Sequence, residues 1–228
     1  MRAVNQIGRM SSAEVANALP SIISAFEFKD DTVKGYAALA MFAIGQRPDG
    51  ATLLRPDVQT IGRGLESPNV HLQGATLQLL AMLMLKPEPQ SEAASLLQAF
   101  VKRTDRNPIA QADAMSFLLR LAPDNPDLTP TLQKFLARPM DEQTTIAVIN
   151  GISNSHTENS VATDMLIRSL EDPSEQIRFQ AAQGFQEMPK DMITRAKPVL
   201  QSLLDRPDES QEVKDAAKEA LRRSEPQG

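Results

Sequence analysis

The sequence predicts an all-α chain, a right-handed α-solenoid of about six antiparallel helix pairs, and three observations lead there. The phrase Leu-x-x-Pro recurs in fixed phase at residues 65–68, 136–139, 170–173 and 204–207. Its leucines lie 71, 34 and 34 residues apart, so the wide gap holds two periods of about 35, with a degenerate copy near Val101 in the middle. A period of that length is the mark of stacked helical hairpins. Each phrase also separates two apolar-periodic segments, because proline removes a backbone donor and closes the first helix before the second begins. Finally, a small residue returns once per period inside the second helices, at Ala37, Ala75, Ala114, Val148, Ala181 and Ala217, where it lets neighbouring helices approach closely.

Residues 1–10 read as an N-terminal leader that need not be ordered, residues 11–224 as a single repeat domain and residues 225–228 as a tail. The first repeat, 11–46, pairs a helix over 13–26 with one over 33–45; Ser11 with Glu14, and Asp30 with Asp31, suit helix starts through capping and the helix dipole. The second, 50–86, pairs a helix from about 53 to 65 with one over 71–84. Its Gly62-Arg63-Gly64 lacks the strand and third glycine of a dinucleotide loop and reads as a close-packing point. The run 81–85 carries Met82 and Met84, whose flexible thioethers fill irregular gaps. The third repeat, 91–122, lacks the Leu-x-x-Pro phrase and pairs 92–101 with 110–121. The fourth, 128–154, starts its first helix at Pro130 under a Thr129 cap and continues over 142–153. The fifth, 159–188, pairs 160–170 with 175–188, opened by Ser174 and Glu175. The sixth, 190–224, pairs 190–204 with 211–223, and the narrow apolar stripe of Val213, Ala217, Ala220 and Leu221 makes that last helix a polar closing cap. Pro20 and Pro198 lie inside apolar runs, where a proline is expected to bend the helix.

Of 228 residues, 41% are hydrophobic and only 4% aromatic, so the core must come from Leu, Ile, Val, Ala and Met. The net charge of -5, with basic residues dispersed among acidic ones, does not advertise the concentrated positive surface that nucleic acid rewards. Lys102, Arg103 and Arg106 do cluster, as a solvated turn would. The absence of cysteine excludes disulfides, thiolate zinc sites and cysteine nucleophiles. The two histidines lack metal-site spacing, and Ser155, His156 and Glu158, neighbours in one polar connector, do not make an aligned relay. No catalytic residue, metal site, phosphate loop or cofactor is expected. No stretch has the length of a membrane span, and no signal peptide is visible, which favours the cytoplasm; the periplasm fits a processed or excised domain.

Residues 170–185 resemble the HEAT-repeat and HEAT-like repeat family. The turn Asp172, the Ile177-Arg178 pair and the Ala181-Ala182 step fall where that family places them, and Asp205, Val213, Lys214, Ala216, Ala217 and Leu221 repeat the logic. The resemblance covers residues 13–224 and departs at the third repeat and at Thr145, which stands where a basic residue is expected. It implies a structural ladder of Asp172 with Arg178 and of Asp205 with Lys214, tying an inter-helix turn to the following helix or reaching an adjacent repeat, and so holding neighbours in register.

The expected function is a non-enzymatic protein–protein interaction scaffold whose second helices present polar residues, among them Gln73, Gln78, Asn150, Gln180 and Gln183, to an unknown protein or peptide. The first helix is apolar on most sides, through residues such as Val15, Leu19, Ile22, Ile23 and Phe26. It is expected to expose an apolar end that a second copy, an upstream domain or a partner covers. The alternatives are a HEAT-like enzyme or nucleic-acid-binding module, resembling families that excise damaged DNA bases or attach bilin pigments, and a structural spacer within a longer polypeptide.

Overall fold

The computed structural model describes residues 7, 9–26, 28–85, 90–123, 125–156 and 158–224. The fold is all-α, with no strand among the described residues. Two compact units divide the chain, residues 1–106 and 107–228, and the division falls between the two helices expected for the third repeat.

The first unit contains α1 (Ser12–Phe26), α2 (Asp31–Gly45), α3 (Gly50–Leu54), α4 (Val58–Gly62), α5 (Val70–Met84) and α6 (Gln90–Lys102). The helix expected from about residue 53 to 65 is broken: α3 and α4 are separated by one 3-10 turn, Arg55–Asp57, and followed by another, Arg63–Glu66. Pro56 lies in the first turn, where its missing N–H and fixed φ disfavour one uninterrupted α-helix. The second unit contains α7 (Pro108–Leu121), α8 (Leu128–Leu136), α9 (Glu142–Ser155), α10 (Ser160–Ser169), α11 (Glu175–Gln186), α12 (Lys190–Asp205) and α13 (Gln211–Ser224). As in an α-solenoid, second helices stack on second helices within each unit: α2 on α5 in one, and α7, α9, α11 and α13 in succession in the other.

Each second helix starts on a side chain from the preceding turn. Asp30, Asn69, Asn107, Asp141, Ser174 and Ser210 accept hydrogen bonds from backbone N–H groups of the first turns of α2, α5, α7, α9, α11 and α13. These caps satisfy donors that the helix itself leaves unpaired. Ser11 and Glu14 form a reciprocal capping box at α1. The fourth repeat differs from expectation: α8 begins at Leu128 under Asp127, so Thr129 is inside the helix and accepts from Asn159 Nδ2 instead of capping. Pro130 remains in the first turn, where its absent N–H costs no bond. Pro20 and Pro198 sit within continuous helices, and both are exposed. The carbonyls four residues earlier, deprived of a donor, therefore lie on the solvated side of each helix.

The small-residue phase holds at Ala37, Ala114, Val148, Ala181 and Ala217, all buried. In the second repeat it shifts by one: Ala75 is half-buried and Thr76 fully buried. Thr76 packs against Gly64, where an added Cβ would stand 2.1 Å from Thr76 Oγ1 and 2.6 Å from Phe26 Cζ. The Gly62-Arg63-Gly64 segment is thus a close-packing point. Met84 is buried, and the thioether tip of Met82 occupies the space over Gly45.

Gly35 in α2 and Gly74 in α5 face open space, since a Cβ at either would meet nothing within 4 Å. Gly35→Ala and Gly74→Ala are each expected to stabilise the fold by about 0.5–1 kcal/mol, by lowering the backbone entropy lost on folding. Thermal denaturation of the single variants checks this; a fall in stability would place an unseen constraint on those faces.

Candidate partner-binding surface

Side-chain bonds between neighbouring repeats step about one period along the chain. In the second unit Ser174 Oγ donates to Glu142 Oε2 at 2.7 Å, Arg195 pairs with Asp164 at 2.7 Å, and Gln186 Nε2 donates to Ala216 O at 3.2 Å. The most sheltered link is Arg178 to Glu209, whose side chains are 15% and 1% exposed. Arg178 Nε and Nη2 donate to the two carboxylate oxygens at 2.9 and 2.7 Å, while Nη1 donates to the carbonyls of Asp172 and Pro173. Arg178 therefore ties its turn to the following helix, as the ladder implies, but through backbone carbonyls. The Asp172 carboxylate instead accepts from Ser174 N. Asp205 and Lys214 make no side-chain bond with each other, and the acid of that turn is Glu209. The hydrogen bonds from Arg178 hold the Glu209 carboxyl below the usual carboxylate range.

The basic cluster of the first unit is neutralised in the same manner. Arg103 forks onto Glu66 and onto Asp105, and Arg106 also reaches Glu66. The Arg103 hydrogen bond lowers the Asp105 carboxyl to about 2. In the last helix Arg222 and Arg223 pair with Glu219.

A cleft of about 570 Å³ lies between α7 and α9 in the second unit, lined by Asp113, Ser116, Phe117, Arg120, Asn150 and Asn154, with His156 also on its wall. The helices can approach there because α9 carries Gly151, at which a Cβ would lie 3.2 Å from Ser116 Cβ and 3.3 Å from Ala112 O. His156 ends α9 in the left-handed conformation, φ 50°, ψ 27°. Its Nδ1 lies 2.8 Å from Glu187 O, and since a carbonyl only accepts, Nδ1 carries the proton. Ser155 donates its hydroxyl to Ile152 O, so the serine and histidine are bonded in different directions. Arg120 lies over the Phe117 ring, 5.6 Å from its centroid, and partial desolvation by the cleft walls raises the carboxyl of Asp113, itself solvent-exposed, above its usual range.

The five expected contact residues separate. Gln78, Asn150 and Gln183 are exposed, Gln180 is half-buried, and Gln73 is buried. Gln73 Nε2 donates to Leu65 O at 3.1 Å and Ser67 O at 2.9 Å, so it fastens the turn that precedes its own helix. Of the five, only Asn150 lines the α7–α9 cleft. Sequence reasoning missed Asp113, Arg120 and Asn154, although Asn154 follows Asn150 by one helical turn. In the first unit the large apolar residues of α1 are buried or half-buried. Arg47 donates to the carbonyls of Ile7 and Met10, at 3.1 and 2.7 Å, which fastens the chain before α1. Among the described residues the exposed large apolar side chains are instead Phe28, Tyr36, Leu39, Val70 and Leu85.

No protein-family model and no curated protein matches the sequence. Among solved structures the chain is similar to an archaeal HEAT-like repeats protein from Thermococcus onnurineus NA1, with a TM-score of 0.57 and 17% identity over 97% of this chain and 90% of that one. It is also similar to two engineered proteins: one with a TM-score of 0.55 and 17% identity over 90% of this chain and 95% of that one. The other has a TM-score of 0.53 and 18% identity over 93% of this chain, which spans 59% of the length of that protein. At such identities the likeness concerns the fold alone, and the fold of this chain is that of a HEAT-like helical-repeat protein.

Proposed function

We propose that this chain is a non-enzymatic binding scaffold that holds a protein or peptide partner against the outward faces of its second helices. The observation that carries the reading is a contrast in pairing. Arg103, Arg178 and Arg195 are each ion-paired across to another repeat, with Glu66, Glu209 and Asp164, whereas Asp113 and Arg120, on the outward face of α7, have no ionic partner among the described residues. The neutralisation of Arg103 and Arg106 by Glu66 weakens the case for nucleic acid, whose binding needs uncompensated cations.

The test is affinity capture from a lysate of the source organism with the tagged chain, washed at low and at high salt, followed by mass spectrometry. The expected result is a protein retained through the high-salt wash and lost by the double variant Asp113→Asn, Arg120→Gln. Nucleic acid released at high salt, or an empty bait, would overturn the reading.

A further inference from the structure

Asp113 and Arg120 lie seven residues apart on α7 and line the same cleft. Seven residues of α-helix rise about 10 Å and return to nearly the same angular position, so the two charges sit on one face at opposite ends. Neither forms a hydrogen bond or ion pair among the described residues, and Arg120 lies over the Phe117 ring. The cleft therefore has an acidic end and a basic end, both open to a ligand. A free amino acid, whose ammonium and carboxylate share one carbon, is too short to reach both.

The opposite wall has its own spacing. Asn150 and Asn154 stand one turn apart on α9, both exposed, about 6 Å along the helix axis. Alternate residues of an extended chain repeat at about 6.6 Å, so two amides at that interval match two successive main-chain units of a peptide laid along α9. Each carboxamide both donates and accepts, as a main-chain N–H and C=O require. Phe117 and Ala147 supply apolar surface between the polar ends, and about 570 Å³ accommodates several residues of an extended segment.

We propose that the α7–α9 cleft holds an extended segment of a partner protein, with a basic residue against Asp113, an acidic residue two to four positions away against Arg120, and its main chain paired with Asn150 and Asn154. This rests on the scaffold reading and specifies its ligand.

The test uses the full chain and an array of acetylated, amidated nonapeptides in a Ser/Ala/Gly background. The peptides carry Lys with Glu, in both orders and at separations of two and four, or Lys with Lys, or Glu with Glu. Binding is followed by chemical-shift perturbation. The wild type is expected to bind the better mixed-charge peptides about tenfold more tightly than either like-charged set, with shifts at residues 113–120 and 150–156. Asp113→Lys should redirect the preference to the Glu/Glu peptides, and Arg120→Glu to the Lys/Lys peptides. Both substitutions are at exposed positions, and unchanged far-UV dichroism and melting confirm that they preserve the fold. Equal binding of mixed and like-charged peptides, or variants that keep the wild-type preference, would overturn the proposal. Retention of the same lysate protein by wild type and by the double variant Asp113→Lys, Arg120→Glu would also overturn it while leaving the scaffold reading intact. A wild type that retains no protein would overturn the scaffold reading itself.

Discussion

Arg178→Ala is expected to lower stability by about 3 kcal/mol, because removing one partner of a buried ion pair leaves the other charge stranded. The Glu209 side chain is 1% exposed, and its remaining cation, Arg206, is 3.7 Å away. The carbonyls of Asp172 and Pro173 lose their Nη1 donor in the same step. Glu209→Gln keeps an acceptor for Arg178 and removes the buried charge, so its cost should be nearer 1 kcal/mol. If the energy belongs to the pair, a double-mutant cycle with Arg178→Met and Glu209→Leu should show strong positive coupling. The pH dependence gives a second readout. Glu209 titrates lower in the folded chain than in the unfolded one, chiefly through the Arg178 hydrogen bonds. Between those two values the unfolded state binds more protons, so the contribution to stability is complete above the ordinary glutamate value of about 4.3 and is lost as pH falls through the depressed folded value. Urea unfolding from pH 6 to pH 3 should show this acid-side loss in the wild type and a flattened slope in Arg178→Ala. An Arg178→Ala protein as stable as wild type at neutral pH would show that the two charges are solvated in solution.

The features legible in the sequence are those that local chemistry determines. Second-helix starts lie within about three residues of expectation because each has an Asx or Ser cap in a turn. What failed depended on neighbours distant in sequence. Gln73 looked available on a polar-spaced position, yet it falls on the covered side of α5, and the amide is used inside against Leu65 and Ser67. Glu209 was passed over because nothing near it in sequence shows that Arg178, 31 residues earlier, comes to it. The cleft was half legible: Asn150 was expected on an outward face, but the Asp113–Arg120 wall requires knowing that α7 and α9 lie side by side. The apolar end expected on α1 failed for the same reason. Its large apolar side chains are at least half-covered, and the exposed ones lie on other segments.

Gly50→Ala is expected to cost about 3 kcal/mol, and a comparison with Gly45→Ala isolates the reason. A Cβ at Gly50 would stand 2.0 Å from Ile44 O, 2.8 Å from Ile44 C and 2.8 Å from Gly45 Cα. All three are backbone atoms at the end of α2, so no rotamer change relieves the contact and the start of α3 must move away from α2. Overpacking of an unyielding site costs about 1–3 kcal/mol, and this site is at the upper end of that range. At Gly45 the contact is closer, 1.9 Å, but it is with Met82 Cε, the tip of a flexible side chain that can swing aside. Gly45→Ala should therefore cost about 1 kcal/mol, part of it offset by the helix propensity of alanine. If nominal Cβ distance alone governed the outcome, Gly45→Ala would be the worse substitution. If the rigidity of the neighbour governs it, Gly50→Ala is worse, and adding Met82→Ala to Gly45→Ala should produce no further clash relief beyond the loss of buried thioether surface. Urea midpoints at constant slope for the two single variants decide between these orders, with Gly35→Ala, which meets open space, as the reference for an alanine substitution without steric cost.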